Sequence, residues 1–278
     1  MTKRFSSSPL VFRWLGVGGL EFSMQGRILL VDPFLSRPSF WQVLFSPLIP
    51  NTRLIRTTLP RADLILITHS HYDHLMDVPG IMRYTHSEAY GSPLAMQLLQ
   101  LSGVSPQRCH AVQAGIKQPL GLFQFQVFEG GHIYIPFFRQ KKQSKKLSPP
   151  LRVWDYQMDS CFSYLLSAEG RSLLIWHNMR GAGAPPADVL FFDTEISTQE
   201  LHILLHNVQP RLVIPIHWDN FFRPISLPLQ TFFRPTHQLF PPFARINLKN
   251  IAGLVKDISP ASQIILPEPL IPVTLFSR

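Results

Sequence analysis

The sequence predicts a single α/β domain, residues 1 to 278, built from two sheets with helices on their outer faces. Three observations lead to that reading. Apolar runs of strand length recur along the chain, helical stretches interleave with them, and 278 residues at 45% hydrophobic content are enough for one large core. Two sheets that bury one face against each other and the other beneath helices satisfy this pattern without a second domain.

The elements follow in chain order. Ile28-Leu29-Leu30-Val31 and Leu64-Ile65-Leu66-Ile67 are uninterrupted apolar runs, as strands buried on both faces require. Residues 93 to 101 form a helical stretch. Phe123-Gln124-Phe125-Gln126-Val127-Phe128 alternates apolar with polar, the period of a strand with one face covered. Residues 162 to 166, 172 to 176 and 189 to 192 are further strands. Residues 198 to 207 form a helix, with the cap-type Thr194 and Ser197 ahead of it and Asp193 and Glu195 expected as acids at its entry. Residues 212 to 216 close the series as a last strand.

Directly after the run Leu64 to Ile67 stands Thr68-His69-Ser70-His71-Tyr72-Asp73-His74, which holds three imidazoles and a carboxylate. Side chains in extended backbone alternate faces, so His69 and His71 point the same way and can grip one ion. Asp73 and His74 follow as the chain turns, and their side chains diverge toward a second position. Neutral imidazole and carboxylate suit zinc, with manganese and iron as alternatives.

The pattern His69-x-His71-x-Asp73-His74 resembles the signature of the metallo-β-lactamase superfamily, and other stretches match that family's landmarks. Phe12 to Gly19 leads through Gly26 to Ile28-Leu29-Leu30-Val31-Asp32-Pro33, as the family's opening hairpin does. Gly130-Gly131-His132 matches the Gly-His that supplies the third ligand of a first metal, and His217 matches the family's last histidine. The resemblance spans residues 11 to 220 and looks closest to the branch of sugar-phosphate lactonases and the phospholipase D acting on N-acyl phosphatidylethanolamines. It implies a four-layer αββα sandwich and one or two divalent ions, the first held by His69, His71 and His132 and the second by Asp73, His74 and His217. It also implies hydrolysis of an ester, lactone or phosphodiester-type bond by a metal-activated hydroxide. Asp73 would act as base if the second position is empty.

Two-metal members of that family carry a bridging aspartate after a central strand. Here the corresponding stretch, Leu173 to Gly181, contains no acid, and Asn178 or Met179 occupies the place. Asn178 offers only a neutral oxygen, so two divalent ions would be held with one fewer negative charge against their mutual repulsion. The second ion is therefore expected to be weaker, absent, or held by a substitute. His177, Asp193 and Glu195 are the candidates, and His177 and Asn178 are also candidate substrate contacts.

Elsewhere the residues call for plainer readings. His202 and His206 would share a helix face with no third ligand beside them, and His86, His110 and His237 stand alone. Cys109 and Cys161 read as reduced thiols. The N-terminus lacks an apolar h-region, because Arg13 interrupts Leu10 to Leu15, and no run approaches the roughly 20 apolar residues of a membrane span, so a cytoplasmic protein is expected. The net charge of +9 is concentrated locally in Arg139 to Lys146, which reads as a solvated loop able to reach the site and attract an anionic group.

Residues 34 to 50, rich in aromatics and proline, either line a pocket for a lipophilic group or pack on the body of the protein. The tail with Phe221, Phe222, Phe232, Phe233, Phe240 and Phe243 carries the same two readings. The expected partner is a small-molecule or lipid-like substrate, anionic if the basic loop takes part, with peripheral membrane contact left open. Nucleic acid is disfavoured because aromatic and basic residues do not interleave as base-stacking surfaces require. The oligomeric state is not specified. Three rivals stand beside the hydrolase: a nuclease of the same fold, a diiron oxidoreductase, whose relatives place a glutamate where His71 stands, and a non-catalytic metal-binding module with a degenerate second site.

Overall fold

The computed structural model describes residues 9–132, 147–235 and 243–276; the basic run 139–146, His237 and Phe240 lie outside them. The first half contributes strands Val11–Gly16 (β1), Gly19–Met24 (β2), Arg27–Val31 (β3), Leu64–Leu66 (β4), Glu88–Gly91 (β5), Cys109–Ala111 (β6), Lys117–Leu120 (β7) and Phe123–Glu129 (β8). The second half adds Phe162–Ala168 (β9), Arg171–Trp176 (β10), Val189–Asp193 (β11), Leu212–Ile216 (β12), Phe233–Pro235 (β13), Phe243–Arg245 (β14), Gln263–Ile264 (β15) and Pro272–Thr274 (β16). Among the described residues these form two seven-stranded sheets, ordered β16-β1-β2-β3-β4-β5-β6 and β15-β12-β11-β10-β9-β8-β7, and a β13-β14 ribbon.

Each sheet changes character across its width. From β3 through β4 and β5 to β6 the strands are parallel, as they are from β10 through β11 and β12 to β15. Parallel neighbours need crossover connections, and helices supply them everywhere in those stretches except between β10 and β11, which residues 177–188 join without one. The helices are Phe40–Phe45 (α1), Thr52–Thr58 (α2), Tyr72–Leu75 (α3), Val78–Met82 (α4), Pro93–Leu101 (α5), Thr198–Val208 (α6) and Leu248–Ile258 (α7).

The period of two in each strand decides what it buries. Leu66 belongs to the core that also holds residues of both sheets, whereas Ile65 and Ile67 belong to a second cluster with Ile55, Ile81 and Leu98 of α2, α4 and α5. Leu201, Leu204 and Val208 of α6 and Val255 of α7 cover the other sheet. The result is the four-layer αββα sandwich the sequence implied. Phe12 and Phe22 both meet Phe191 edge to face, at ring-centroid distances of 5.3 and 5.5 Å, locking sheet to sheet. Phe191→Ala is expected to cost about 3–5 kcal/mol, measured as a lowered urea midpoint at fixed metal, because the fully buried ring leaves a cavity between two rigid sheets.

One local expectation is corrected. Asp193 and Glu195 do not enter a helix: α6 begins at Thr198, Ser197 caps it by accepting from the Glu200 N–H, and Glu200 is the acid of its first turn. Asp193 instead ends β11, where its carboxylate meets His177.

Candidate metal centre

The carboxyl ends of β3, β4, β10, β11 and β12 deliver Asp32, Thr68, His177, Asp193 and His217 to one rim of the sandwich. Crevices at such ends are where α/β sheets bind ligands, since crossovers that part there leave a gap. Backbone strain collects at the same rim. Val17, Asp32 and His217 adopt left-handed conformations, φ 51°, 43° and 59°, which cost of order 1–3 kcal/mol each and persist only where surrounding contacts hold them. One such tie is the His217 N–H, which donates to the Val17 carbonyl at 2.9 Å. Gly18 beside it lies so close to the His74 ring that a Cβ would approach Cε1 to 3.1 Å.

His69, His71 and His132 place one ligand atom each within 4.8 Å of the others. Proton placement around His69 follows from its neighbours. The Thr68 hydroxyl donates to Asp32 Oδ2 at 2.5 Å, so toward His69 Nδ1, 3.0 Å away, it acts as acceptor. His69 Nδ1 therefore carries the proton, and its Nε2 lone pair faces His71 Nδ1 at 3.1 Å. That separation suits two ligands each 2.0–2.1 Å from one zinc-sized ion. Burial, reinforced by the neighbouring imidazoles, lowers His69 well below the usual histidine range and takes His71 to about 3, so both are neutral and ready to ligate near pH 7.

Asp73, His74 and His217 form a second group within the same 4.8 Å limit. His74 Nδ1–H donates to Asp32 Oδ2 at 2.8 Å, which turns its Nε2 toward Asp73. Nε2 of His74 and of His217 each lie 3.5 Å from Asp73 Oδ2, and both are buried without a hydrogen-bond partner among the described residues. Three donor atoms converging beyond good hydrogen-bond length fit a shared cation. Burial alone would lower His74, but Asp73 and Asp32 outweigh it and lift it to about 10. His217 rises to about 9 for the same kind of reason, with Asp73, Asp193 and Glu195 prevailing over burial. Burial would raise Asp73, yet His74 and His217 hold it well below the carboxylate range.

The two halves should therefore load differently. At pH 7 to 8 an ion entering beside Asp73 must displace protons from His74 and His217, whereas His69 and His71 have none to lose. Calorimetry in buffers of different ionisation enthalpy is expected to report about two protons released for this half, with affinity there rising as pH rises toward 9. Equal proton release from both halves would contradict the assignment.

His177 is buried, and its Nδ1 lies 2.5 Å from Asp193 Oδ2. It forms a third group with His69 and His74. Asn178 turns away: its amide donates to the Glu129 carbonyl at 3.3 Å and accepts from the Arg180 N–H at 3.0 Å, closing a turn. Glu195 lines the cleft above the centre but joins none of the three groups. His202, His206 and His86 are exposed, and His110 stacks on Tyr90 at 4.6 Å. Sequence reasoning missed the supporting roles of Asp32, Thr68 and Asp193. Asp32 could have been found, since an acid ending an apolar strand beside a histidine cluster is placed to orient imidazoles.

A cleft of about 330 Å³ opens over the centre. His71, Asp73, His132 and His217 border it on the chemical side, and Phe40, Val43, Leu44, Phe221, Phe222 and Phe232 line its walls. Both readings of residues 34 to 50 therefore apply: Phe34, Leu35, Val43 and Leu48 are buried, while Phe40, Trp41, Phe45 and Ile49 are exposed. Among the described residues no helix is long and apolar enough to cross a membrane.

Residues 27–172, more than half of the chain, match the family described as the β-lactamase superfamily domain. A metal-dependent hydrolase (UPF0173) of Cupriavidus necator is 31% identical over 111 residues, 39% of this chain and 36% of its own length. In three of its matches to such hydrolases, at 30–32% identity, the chain spans about a third of the relative's length. Among solved structures, Igni18, a metallo hydrolase of Ignicoccus hospitalis, superposes with a TM-score of 0.60 at 16% identity, covering 98% of this chain and all of that one. CmlA, a diiron β-hydroxylase of Streptomyces venezuelae, gives 0.61 at 14% identity, covering 97% and 55%. At such identities the structures share the fold alone.

Proposed function

The chain belongs to the metallo-β-lactamase superfamily, and from that premise we propose that it is a metal-dependent hydrolase of small lipophilic molecules carrying an ester, lactone or phosphodiester-type bond. The observation that carries this reading is the cleft itself, with ligand-type side chains on one side and aromatic walls on the other. Its volume falls in the range of pockets that enclose small molecules.

His69, His71 and His132 would hold one ion, and Asp73, His74 and His217 a second. Five imidazoles against one carboxylate favour zinc over manganese. When bound, the ion supplies the Lewis acidity that polarises the scissile oxygen and makes water nucleophilic near neutral pH. With the second position empty, Asp73, which borders the cleft, would instead orient the attacking water and accept its proton. Asp32 keeps His74 turned toward Asp73, so the acceptor position is fixed before substrate arrives. The walls exclude bulk water and seat the lipophilic part. Phe40 packs edge-on against Phe222 at 5.3 Å, joining the two aromatic segments over the centre.

Trp41 and Phe45, on the same short helix as Phe40, are 67% and 69% exposed and stack on each other at 5.9 Å. Apolar surface of this kind beside a lipophilic cleft suits contact with a lipid surface or micelle. The test is a panel of esters and phosphodiesters with increasing acyl length. Specificity, kcat/KM, is expected to rise by up to about fourfold per added methylene until the cleft is full, and Phe222→Ala to flatten that slope. Indifference to chain length in the wild type, or preference for nucleic-acid phosphodiesters, would refute the lipophilic substrate.

A further inference from the structure

His177 occupies the gap between the two halves of the centre. Its ring centroid lies 4.9 Å from that of His69 and 6.2 Å from His132 on one side, and 5.2 Å from His74 and 5.9 Å from His217 on the other. Its ligand atom joins one imidazole from each half, His69 and His74, in a group within the same 4.8 Å limit as the other two. The backbone beneath it is pinned on both sides: its N–H donates to Ser163 Oγ at 2.9 Å, and its carbonyl accepts from the Gly131 N–H at 3.0 Å. Gly130 and Gly131, which lead into His132, pack so closely here that a Cβ on Gly130 would stand 2.7 Å from the His177 carbonyl oxygen.

The ring orientation is fixed as well. β10 and β11 run parallel with Trp176 opposite Phe192, so the next residues, His177 and Asp193, face each other. His177 Nδ1–H donates to the Asp193 carboxylate at 2.5 Å, so Nε2 is the ring nitrogen left for a ligand. A carboxylate behind an imidazole is the usual support of a metal-ligating histidine, because it sets the tautomer and makes the free nitrogen more basic. A histidine serving only as packing at a strand end needs no such partner.

From this arrangement we infer that His177, oriented by Asp193, is a metal ligand standing between the two halves. The inference rests on the centre being a metal site, as the proposed function holds. One imidazole nitrogen ligates one ion, so His177 cannot share its donor between two as a carboxylate can. It also brings no negative charge to offset repulsion between neighbouring divalent ions. The centre accordingly takes one imidazole-preferring divalent ion tightly and a second much more weakly.

The test uses the full chain, stripped with chelator and reloaded with zinc or cobalt(II). Wild type is expected to bind one zinc at least about tenfold more tightly than a second. His177→Ala and His177→Gln should weaken the tight site by more than about tenfold and shift the cobalt(II) visible spectrum, and Asp193→Asn should weaken it by about tenfold or more. Far-UV circular dichroism checks folding. If the variants do not fold, zinc-loaded wild-type crystals decide: an anomalous zinc peak at about 2.0–2.1 Å from a His177 nitrogen supports the inference. Unchanged zinc affinity and cobalt spectrum in folded His177 variants, or a zinc peak remote from His177, overturns it alone. Failure of the wild type to bind any metal overturns the proposed function with it.

Discussion

His69→Ala or His132→Ala is expected to leave the protein without its tight ion and without hydrolysis, as measured by elemental analysis after dialysis and by turnover of the best ester found. His69 is fully buried, its Nδ1 is committed to Thr68, and its Nε2 faces His71 at 3.1 Å. It also takes part in two of the three ligand groups. Alanine removes a donor that no nearby side chain can replace, since the adjacent rings are held by their own contacts. A tight site that loses one of the imidazoles holding it loses most of its affinity, and the Lewis acid goes with it. Metal content per chain unchanged from wild type in either variant would sink the ligand assignment.

Asp73→Asn should behave differently. The tight ion is retained, while turnover falls by about 10²–10⁴-fold, the usual contribution of a positioned general base. Asp73 is the only carboxylate among the three ligand groups of the described residues, and it borders the cleft. Asparagine keeps the shape but cannot take a proton from water, nor balance the charge of His74 and His217. The contrast separates holding from chemistry: His69→Ala abolishes both, whereas Asp73→Asn abolishes one. Turnover within about threefold of wild type in Asp73→Asn, with metal retained, would remove Asp73 from the mechanism.

Much of this architecture was legible along the chain. Leu64 to Ile67 lacks polar residues because β4 is covered on both faces, and that leaves its mark on the run itself. Phe123 to Phe128 alternates because β8 is covered on one. The spacing of His69, His71, Asp73 and His74 was informative for the same local reason: an extended stretch aims two imidazoles together, and the helical turn that follows aims the next two side chains elsewhere.

The entry to α6 was less legible. Asp193 and Glu195 lie close enough to the helix to suggest its first turn, and only the actual cap at Ser197 separates the acid that starts a helix from the acid that ends a strand. The aromatic segments were ambiguous for a related reason. Phe40 and Phe222 are far apart in sequence, and nothing local says that their rings meet over the same centre.

By itself, the sequence determined the inventory: a two-sheet fold, a cluster of imidazole and carboxylate side chains at strand ends, and the lack of an acid in the stretch from Leu173 to Gly181. These are properties of short runs, in which residue type and periodicity suffice. Tertiary structure decided which neighbour fills the gap. His177 faces the centre while Asn178 turns to the Glu129 carbonyl, and a shift of one residue past the end of β10 reverses the direction of a side chain. It also decided that Asp32 serves His74 and that Asp193 serves His177, because those pairs arise from sheet register and packing between distant segments, which no local pattern encodes.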